Sequence, residues 1–215
     1  MLDRRATRIV WAFLIGASVT EGWAIYASFN PHGNLLAALL HYTITPIGTP
    51  LSWVLAALVT ALYAGYAAYG SATIRTHMLR PSTWRPYILL RIAALVMTLI
   101  CSFFEEAFFR KFLMDWVMHH GEAIAAQIAI SAIAFGFVHA IWGIAGGNFR
   151  AAFGAMTATG VLGAALAVVY VIGGRSVAPC VVAHTAINLL IEPWLIMTAA
   201  TNGWRLSQPK APASS

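Results

Sequence analysis

The chain is 215 residues long, 60% hydrophobic and only 9% charged, with a mean hydropathy of +0.75. That composition excludes an ordinary water-soluble domain and reads as an integral membrane protein. The net charge of +6 does not point to nucleic acid: the basic residues stand in short flanks (Arg4, Arg5 and Arg8; Arg75, Arg80, Arg85 and Arg91; Arg205 and Lys210), without an aromatic-interleaved basic stripe. Bases confined to the ends of apolar runs describe topology.

Runs able to cross a hydrocarbon core of about 30 Å recur along the chain. The predicted fold is all-α, a polytopic transmembrane helical bundle of about six spans plus one amphipathic or partial helix. The first span covers about 8–28. Its basic head and apolar body resemble a signal peptide, but apolar character continues past Glu21 and no small-x-small cleavage site interrupts it, so it reads as a retained span. FNPHGN breaks the chain, an amphipathic stretch over 34–45 ends before Pro46, and a second span covers about 50–70. The polar linker 71–85, with three arginines and Pro81, belongs on the same side as the N-terminus.

A third helix follows, then one over 122–142 opened by Gly121, the loop GIAGGNFR, a span over 151–172, a turn at Gly173-Gly174 and a last span over 177–200. Both termini then lie on the cytoplasmic side. Trp84, Tyr87 and Trp204 suit an interfacial aromatic belt. Gly136, Gly154, Gly160, Gly163 and Ala164 let helix backbones approach closely, which matters where lipid gives no hydrophobic drive to helix association. The chain divides into a scaffold over 1–85, a core over 86–200 that holds every motif, and a short polar tail over 201–215 with no cysteine to prenylate. Cys101 and Cys180 lie in apolar segments and read as reduced core residues.

The stretch SFFEEAFFRKF, Ser102 to Phe112, is the exception to the avoidance of charge. A charge near the bilayer centre costs about 2.5–3.5 kcal/mol on insertion scales, so its four charged residues need compensation. Glu106 and Arg110 are four apart on one helical face and can neutralise each other. Lys111 can snorkel or face water. Glu105 points about 100° away from Glu106 and has no partner on its own helix. A carboxylate buried without a cation is a competent acid or base near neutrality.

Partners come from later helices: Phe135-x-x-x-His139 and His184-x-x-x-Asn188 each place two residues one turn apart on a face. Glu105 and His139 meet if one long tilted helix runs from about 92 to 118 and turns at His119-His120-Gly121. Glu105 is then 15 residues before the turn and His139 is 19 after it, about 22 and 28 Å away at 1.5 Å per residue, hence nearly level. These groups describe a functional polar centre within the membrane, whether for catalysis, transport or proton relay.

Glu105-Glu106-x-x-x-Arg110, Phe135-x-x-x-His139 and His184-x-x-x-Asn188, in this order, resemble the three motifs of the CAAX-processing and bacteriocin-processing (CPBP, or Abi) intramembrane protease family, which includes the type II CAAX prenyl endopeptidases. The resemblance covers Ser102 to Asn188 and implies peptide-bond hydrolysis by a glutamate-dependent intramembrane endopeptidase. It implies Glu105 as the general base assisted by His139, His184 and Asn188 as stabilisers of the tetrahedral oxyanion, and Glu106 and Arg110 as structural support. Phe135 reads as packing for His139.

The expected partners are the lipid bilayer and a membrane-associated protein or peptide substrate, with no nucleic acid. The short chain looks like bacterial members, which implies a bacterial inner membrane. No cofactor is expected; were zinc present, Glu105, His139 and His184 would be its ligands. A cavity opening to one face and a lateral gap between helices are also expected. The rival readings are a non-catalytic immunity or scaffold protein and a proton-coupled transporter.

Remaining polar groups are expected to matter less. Glu21 either lines the cavity or hydrogen-bonds another helix, Asp115 with the His119-His120-Gly121-Glu122 cluster lies at a solvated edge, and Glu192, directly before Pro193 where the helix should kink, faces an aqueous edge in preference to reaching the site.

Overall fold

The computed structural model describes residues 4–29, 33–70, 88–141, 144 and 149–202. These form α1 (Arg4–Phe29), α2 (Leu35–Ile44), α3 (Pro50–Gly70), α4 (Ile88–His119), α5 (Ile124–His139), α6 (Phe149–Ile172) and α7 (Ala178–Asn202), with no strand among the described residues. The arginine-bearing linker 71–85, most of the loop GIAGGNFR, the tail beyond Asn202, and Trp84, Tyr87 and Trp204 lie outside the described residues. The all-helical expectation holds. Four helices (α1, α3, α4 and α6) are long and apolar enough to cross a membrane, while α2, α5 and the Ala178–Glu192 part of α7 are shorter apolar helices. Large apolar side chains such as Trp23, Leu62, Leu89, Phe137 and Val161 point outward, the arrangement that hydrocarbon as solvent permits.

The helix carrying the charged stretch is one long element, as the level of Glu105 and His139 requires. It is not uniform: Ala107–Met114 is wound as a π-helix. Hydrogen bonds from i to i+5 widen the turn and bring a residue four positions on nearly back over the first. Glu106, Arg110 and Met114, all buried, thereby share one stripe. The chain reverses at Gly121, whose φ of +81° is left-handed backbone that a side chain would strain. The next helix opens at Ile124, two residues later than expected. At the other helix with a predicted irregularity, the helical assignment runs through Pro193 to Asn202.

Two apolar clusters make the core. One joins Ala56 of α3, Met114 of α4, Leu162, Leu166, Ala167, Val169 and Tyr170 of α6, and Cys180, Ala183, Ile187 and Ile191 of α7. The other joins Val10 and Leu14 of α1, Leu90, Ala94, Met97 and Cys101 of α4, and Ile196 of α7. Both cysteines are buried free thiols. Helices α4 and α7 belong to both clusters and carry the polar residues between them.

Asp115 is not a merely solvated residue. Its Oδ1 accepts from Arg175 Nε at 2.6 Å and from the Tyr170 hydroxyl at 3.0 Å, while Arg175 Nη1 donates to Gln127 Oε1 at 3.1 Å. One half-buried carboxylate thus ties together α4, α5, α6 and the turn after α6. The neighbouring histidines fit the expected edge: His119 and His120 are exposed, each ring Nδ1 bonded to a backbone carbonyl one turn back.

Helices α5 and α6 pack backbone against backbone. A Cβ on Gly136 would lie 2.5 Å from the Met156 carbonyl oxygen and 3.1 Å from Gly160 Cα, whereas one on Gly154 would meet nothing within 4 Å. The close-approach expectation therefore holds at Gly136 and fails at Gly154. Gly136→Ala is expected to destabilise the fold by about 1–3 kcal/mol, the usual cost of overpacking. Gly154→Ala should be neutral or slightly stabilising, since alanine is the better helix former. Thermal melting of both variants in one detergent checks the contrast.

Candidate active site

The polar centre is assembled from α4, α5 and α7. Glu106 and Arg110 are fully buried, with Arg110 Nε 3.0 Å from Glu106 Oε2 and Nη2 donating to Oε1 at 3.3 Å. The Nε contact has ion-pair distance without hydrogen-bond alignment. Arg110 Nη1 donates to Ser131 Oγ of α5 at 3.0 Å, and that hydroxyl donates in turn to the Phe109 carbonyl at 3.0 Å. The guanidinium also stands over the Phe135 ring, 4.9 Å from its centroid, a cation–π contact that gains from exclusion of water. Phe135, itself fully buried, touches Phe109, His139 and His184 as well.

Glu106 does more than neutralise Arg110. Its Oε1 lies 2.8 Å from His184 Nδ1. A carboxylate paired with arginine is an acceptor, which assigns the hydrogen to Nδ1 and turns Nε2 toward Glu105. At His139, Nδ1 lies 2.8 Å from the Phe135 carbonyl oxygen. A carbonyl can only accept, so Nδ1 again carries hydrogen and Nε2 faces Glu105. Both imidazoles are thus oriented by a second partner, but the partners differ: His184 has a counter-charge behind it, and His139 has a neutral dipole.

Glu105 stands apart from this pairing. Its Oε2 makes no direct hydrogen bond and lies 3.7 Å from His139 Nε2 and 3.7 Å from His184 Nε2. Those gaps exceed a direct hydrogen bond, while one water donating two bonds of about 2.8 Å spans about 4.4 Å, so a shared water stands beside the line between the atoms and needs the gap to open slightly. The side chains of Glu105 and His139 are 15% and 19% exposed, against 1% for His184, so the centre is least covered along the Glu105–His139 edge, although Glu105 Oε2 itself is buried. Asn188, one turn beyond His184, donates from Nδ2 to Ser102 Oγ at 3.3 Å. That bond uses one of the amide's two N–H groups.

A zinc tetrahedron with bonds of about 2.0–2.1 Å has edges of about 3.3–3.4 Å, and the two separations from Glu105 Oε2 are 3.7 Å. Among the described residues no trio of His, Cys, Asp or Glu has metal-site spacing.

Glu105, His139 and His184 therefore meet, with Glu106, Arg110 and Phe135 beside them, and Asn188 stands one turn beyond His184, bonded to Ser102. One other expectation needs correction. Glu192 is not at an aqueous edge: its Oε2 accepts from the Thr98 hydroxyl at 2.6 Å inside the bundle. Lys111 is half-buried, with its ammonium over the Tyr42 ring of α2, 4.3 Å from the centroid. Glu21 of α1 is half-buried, with its Oε2 enclosed and without a hydrogen-bond partner. A cavity of about 360 Å³ lies between α3 and α7, lined by Trp53, Ala57, Thr60, Ala61, Ala186 and Leu190. It opens on the side of α7 away from His184 and Asn188 and is not the cavity expected at the site.

The sequence reading missed Ser102, Ser131 and Thr98. For Thr98 and Ser102 the signal was a spacing: Thr98, Ser102, Glu106 and Arg110 recur every four residues along one helical face.

Fold and site together define a polytopic helical membrane protein with a buried glutamate–arginine–histidine centre least covered at one edge. In comparisons with known proteins, residues 87–190 match the family model described as type II CAAX prenyl endopeptidase Rce1-like. This segment, just under half of the chain, contains all three motifs and is Rce1-like, consistent with the CPBP family that the motifs resemble. That family is one of proteases, which supports a peptidase. No curated protein and no solved structure matches the chain.

Breaking the buried pair should be costly. Arg110→Met leaves the Glu106 carboxylate without its cation and is expected to destabilise the fold by about 3–5 kcal/mol. Arg110→Lys, which keeps the charge but not the forked donors, should recover only part of this. Denaturant titration in mixed micelles measures both.

Proposed function

We propose that the chain is an intramembrane endopeptidase that hydrolyses a peptide bond of a membrane-associated substrate, using water activated by Glu105 and His139. The observation that carries this reading is the pair of 3.7 Å gaps from Glu105 Oε2 to the two imidazole Nε2 atoms. Carboxylate and His139 offer lone pairs to a water's two hydrogens, which fixes the water and aims its oxygen outward. In the reaction Glu105 takes one proton as the water oxygen bonds to the carbonyl carbon. The carbonyl oxygen becomes an oxyanion and accepts from the second Asn188 N–H and from His184 Nε2–H, with His184 in the imidazolium form that Glu106 counterbalances. The proton on Glu105 then passes to the amide nitrogen as the C–N bond breaks, releasing a carboxylic acid and an amine.

The reading needs no metal. The substrate class it favours is a C-terminal CAAX-like or sorting tail, or a leader peptide. The match to a prenyl endopeptidase family supports the first of these. We further place both termini on the cytoplasmic side of a bacterial inner membrane. Arg8, Arg91 and Arg150 stand at the starts of α1, α4 and α6, which share one side in a six-span topology.

Purified protein in liposomes, assayed against prenylated and unprenylated C-terminal peptides, tests the proposal. Glu105→Gln should lower turnover by about 10²–10⁴-fold, the range of general acid–base catalysis, with melting unchanged. Asn188→Ala should lower it by about 10²–10³-fold, and dialysis against a chelator should leave it intact. A wild type that cleaves nothing, or a Glu105→Gln protein that cleaves normally, sinks the reading. Proton flux abolished by Glu105→Gln would instead favour transport.

A further inference from the structure

Helices α4 and α7 run antiparallel and are joined by three polar rungs. Glu106 meets His184 at 2.8 Å, Ser102 meets Asn188 at 3.3 Å, and Thr98 meets Glu192 at 2.6 Å. Each step moves four residues back along α4 and four forward along α7. The next step on both helices is apolar: Ala94 and Ile196 are buried together in the second core cluster. The first two rungs contain the proposed reactive residues. The third belongs to none of the three motifs, and nothing in the proposed chemistry uses it.

Its position shows what it does. Asn188 lies one turn from His184 and one turn from Glu192, so the segment of α7 that carries it is tied to α4 on both sides. On the far side the backbone is weakened by sequence: Pro193 has no N–H to give to the carbonyl of Leu189, so the turn after Asn188 lacks one of its ladder bonds. A side-chain tie at Glu192 replaces that restraint. The direct bond from Asn188 to Ser102 is long, at 3.3 Å, and cannot alone fix both the rotation of α7 and the direction of the second amide N–H.

We propose that Thr98 and Glu192 are positioning residues for Asn188: their hydrogen bond holds α7 in register so that the free Asn188 N–H points into the site. The inference rests on the reading of Asn188 as an oxyanion donor and extends it to a pair outside the motifs. The Thr98 hydroxyl donates and the carboxyl oxygen accepts. A glutamine at 192 retains an acceptor there, while leucine does not.

The test combines kinetics with a signal that does not depend on turnover. Glu192→Leu and Thr98→Val should each lower kcat by about tenfold or more, as small misplacements of reacting groups do, with KM unchanged, and Glu192→Gln should stay near the wild type. In an Asn188→Ala background, Glu192→Leu should change kcat by less than about twofold, because residues acting through one group are not additive. In protein labelled with ¹⁵N-asparagine, the Asn188 side-chain amide pair, identified by its loss in Asn188→Ala, should shift in Glu192→Leu and Thr98→Val but not in Glu192→Gln. An unmoved amide pair in both rung-breaking variants overturns the proposal, and so does a kcat loss that persists in full without Asn188. Thr98→Val, being nearly isosteric, carries the test should Glu192→Leu fail to fold. If the wild type hydrolyses nothing, the proposed function falls, and the amide signal alone decides whether the rung orients Asn188.

Discussion

The buried Glu106–Arg110 pair is the interaction on which the rest of the centre depends. An ion pair taken out of water recovers its desolvation cost only when geometry is good and the remaining donors and lone pairs are used. This pair uses them on three helices: Arg110 reaches Ser131 on α5 and stands over Phe135, and Glu106 reaches His184 on α7. The need to satisfy one guanidinium and one carboxylate in a low-dielectric interior therefore dictates how α4, α5 and α7 meet. The π-wound segment contributes by keeping Arg110 above Glu106 as the long helix continues toward the turn at Gly121.

With that charge balanced, the remaining groups fall into distinct roles by what stands behind them. Two histidines at the same 3.7 Å from one carboxylate oxygen look equivalent. They are not, because His184 is backed by a carboxylate and is closed from solvent, whereas His139 is backed by a carbonyl and lies at the less covered edge. In the proposed mechanism a counter-charge suits the imidazole that carries an extra proton beside the oxyanion, and a neutral backing suits the one that accepts a hydrogen from water. The asymmetry follows from α4 placing Glu106 toward α7, while α5 bends His139 back onto its own helix.

Much of this was legible in the sequence, because helical spacing in an apolar chain carries strong constraints. The separation of Glu105 from the Glu106–Arg110 pair, the continuity of α4 and the level of His139 all follow from a rise and an angle per residue. Glu192 was misplaced and the partners of Asp115 were missed because a carboxylate near a helix end or a proline has water as its default partner. Their actual partners, Arg175 with Tyr170 and Thr98, lie 60, 55 and 94 positions away, and no local period encodes such distances. The π-winding was equally invisible: it depends on which backbone bonds the packed helix prefers, and the residues of Ala107–Met114 are compatible with either. Ser102 and Thr98 were overlooked for a different reason, since small hydroxyls in membrane helices usually bond their own backbone one turn back, as Thr60 and Thr159 do in this chain.

The two halves of the site are referenced to α4 by different physical means. Helix α5, which brings His139, is held from behind by α6 through the backbone contact at Gly136, where no side chain intervenes. Such contact gives van der Waals rigidity, with few ways to shift except as a body. Helix α7, which brings His184 and Asn188, is held to α4 through discrete side-chain hydrogen bonds, each directional and each removable singly. Interhelical hydrogen bonds in lipid are individually modest, averaging about 0.6 kcal/mol, so the ladder adds little to the stability of the fold compared with the apolar clusters at its two ends. What hydrogen bonds specify better than apolar contact is angle and register. A helix that aims an amide N–H at one point, as proposed for Asn188, gains more from three such bonds than from the same area of leucine, and the ladder ends at Glu192, one turn past that amide.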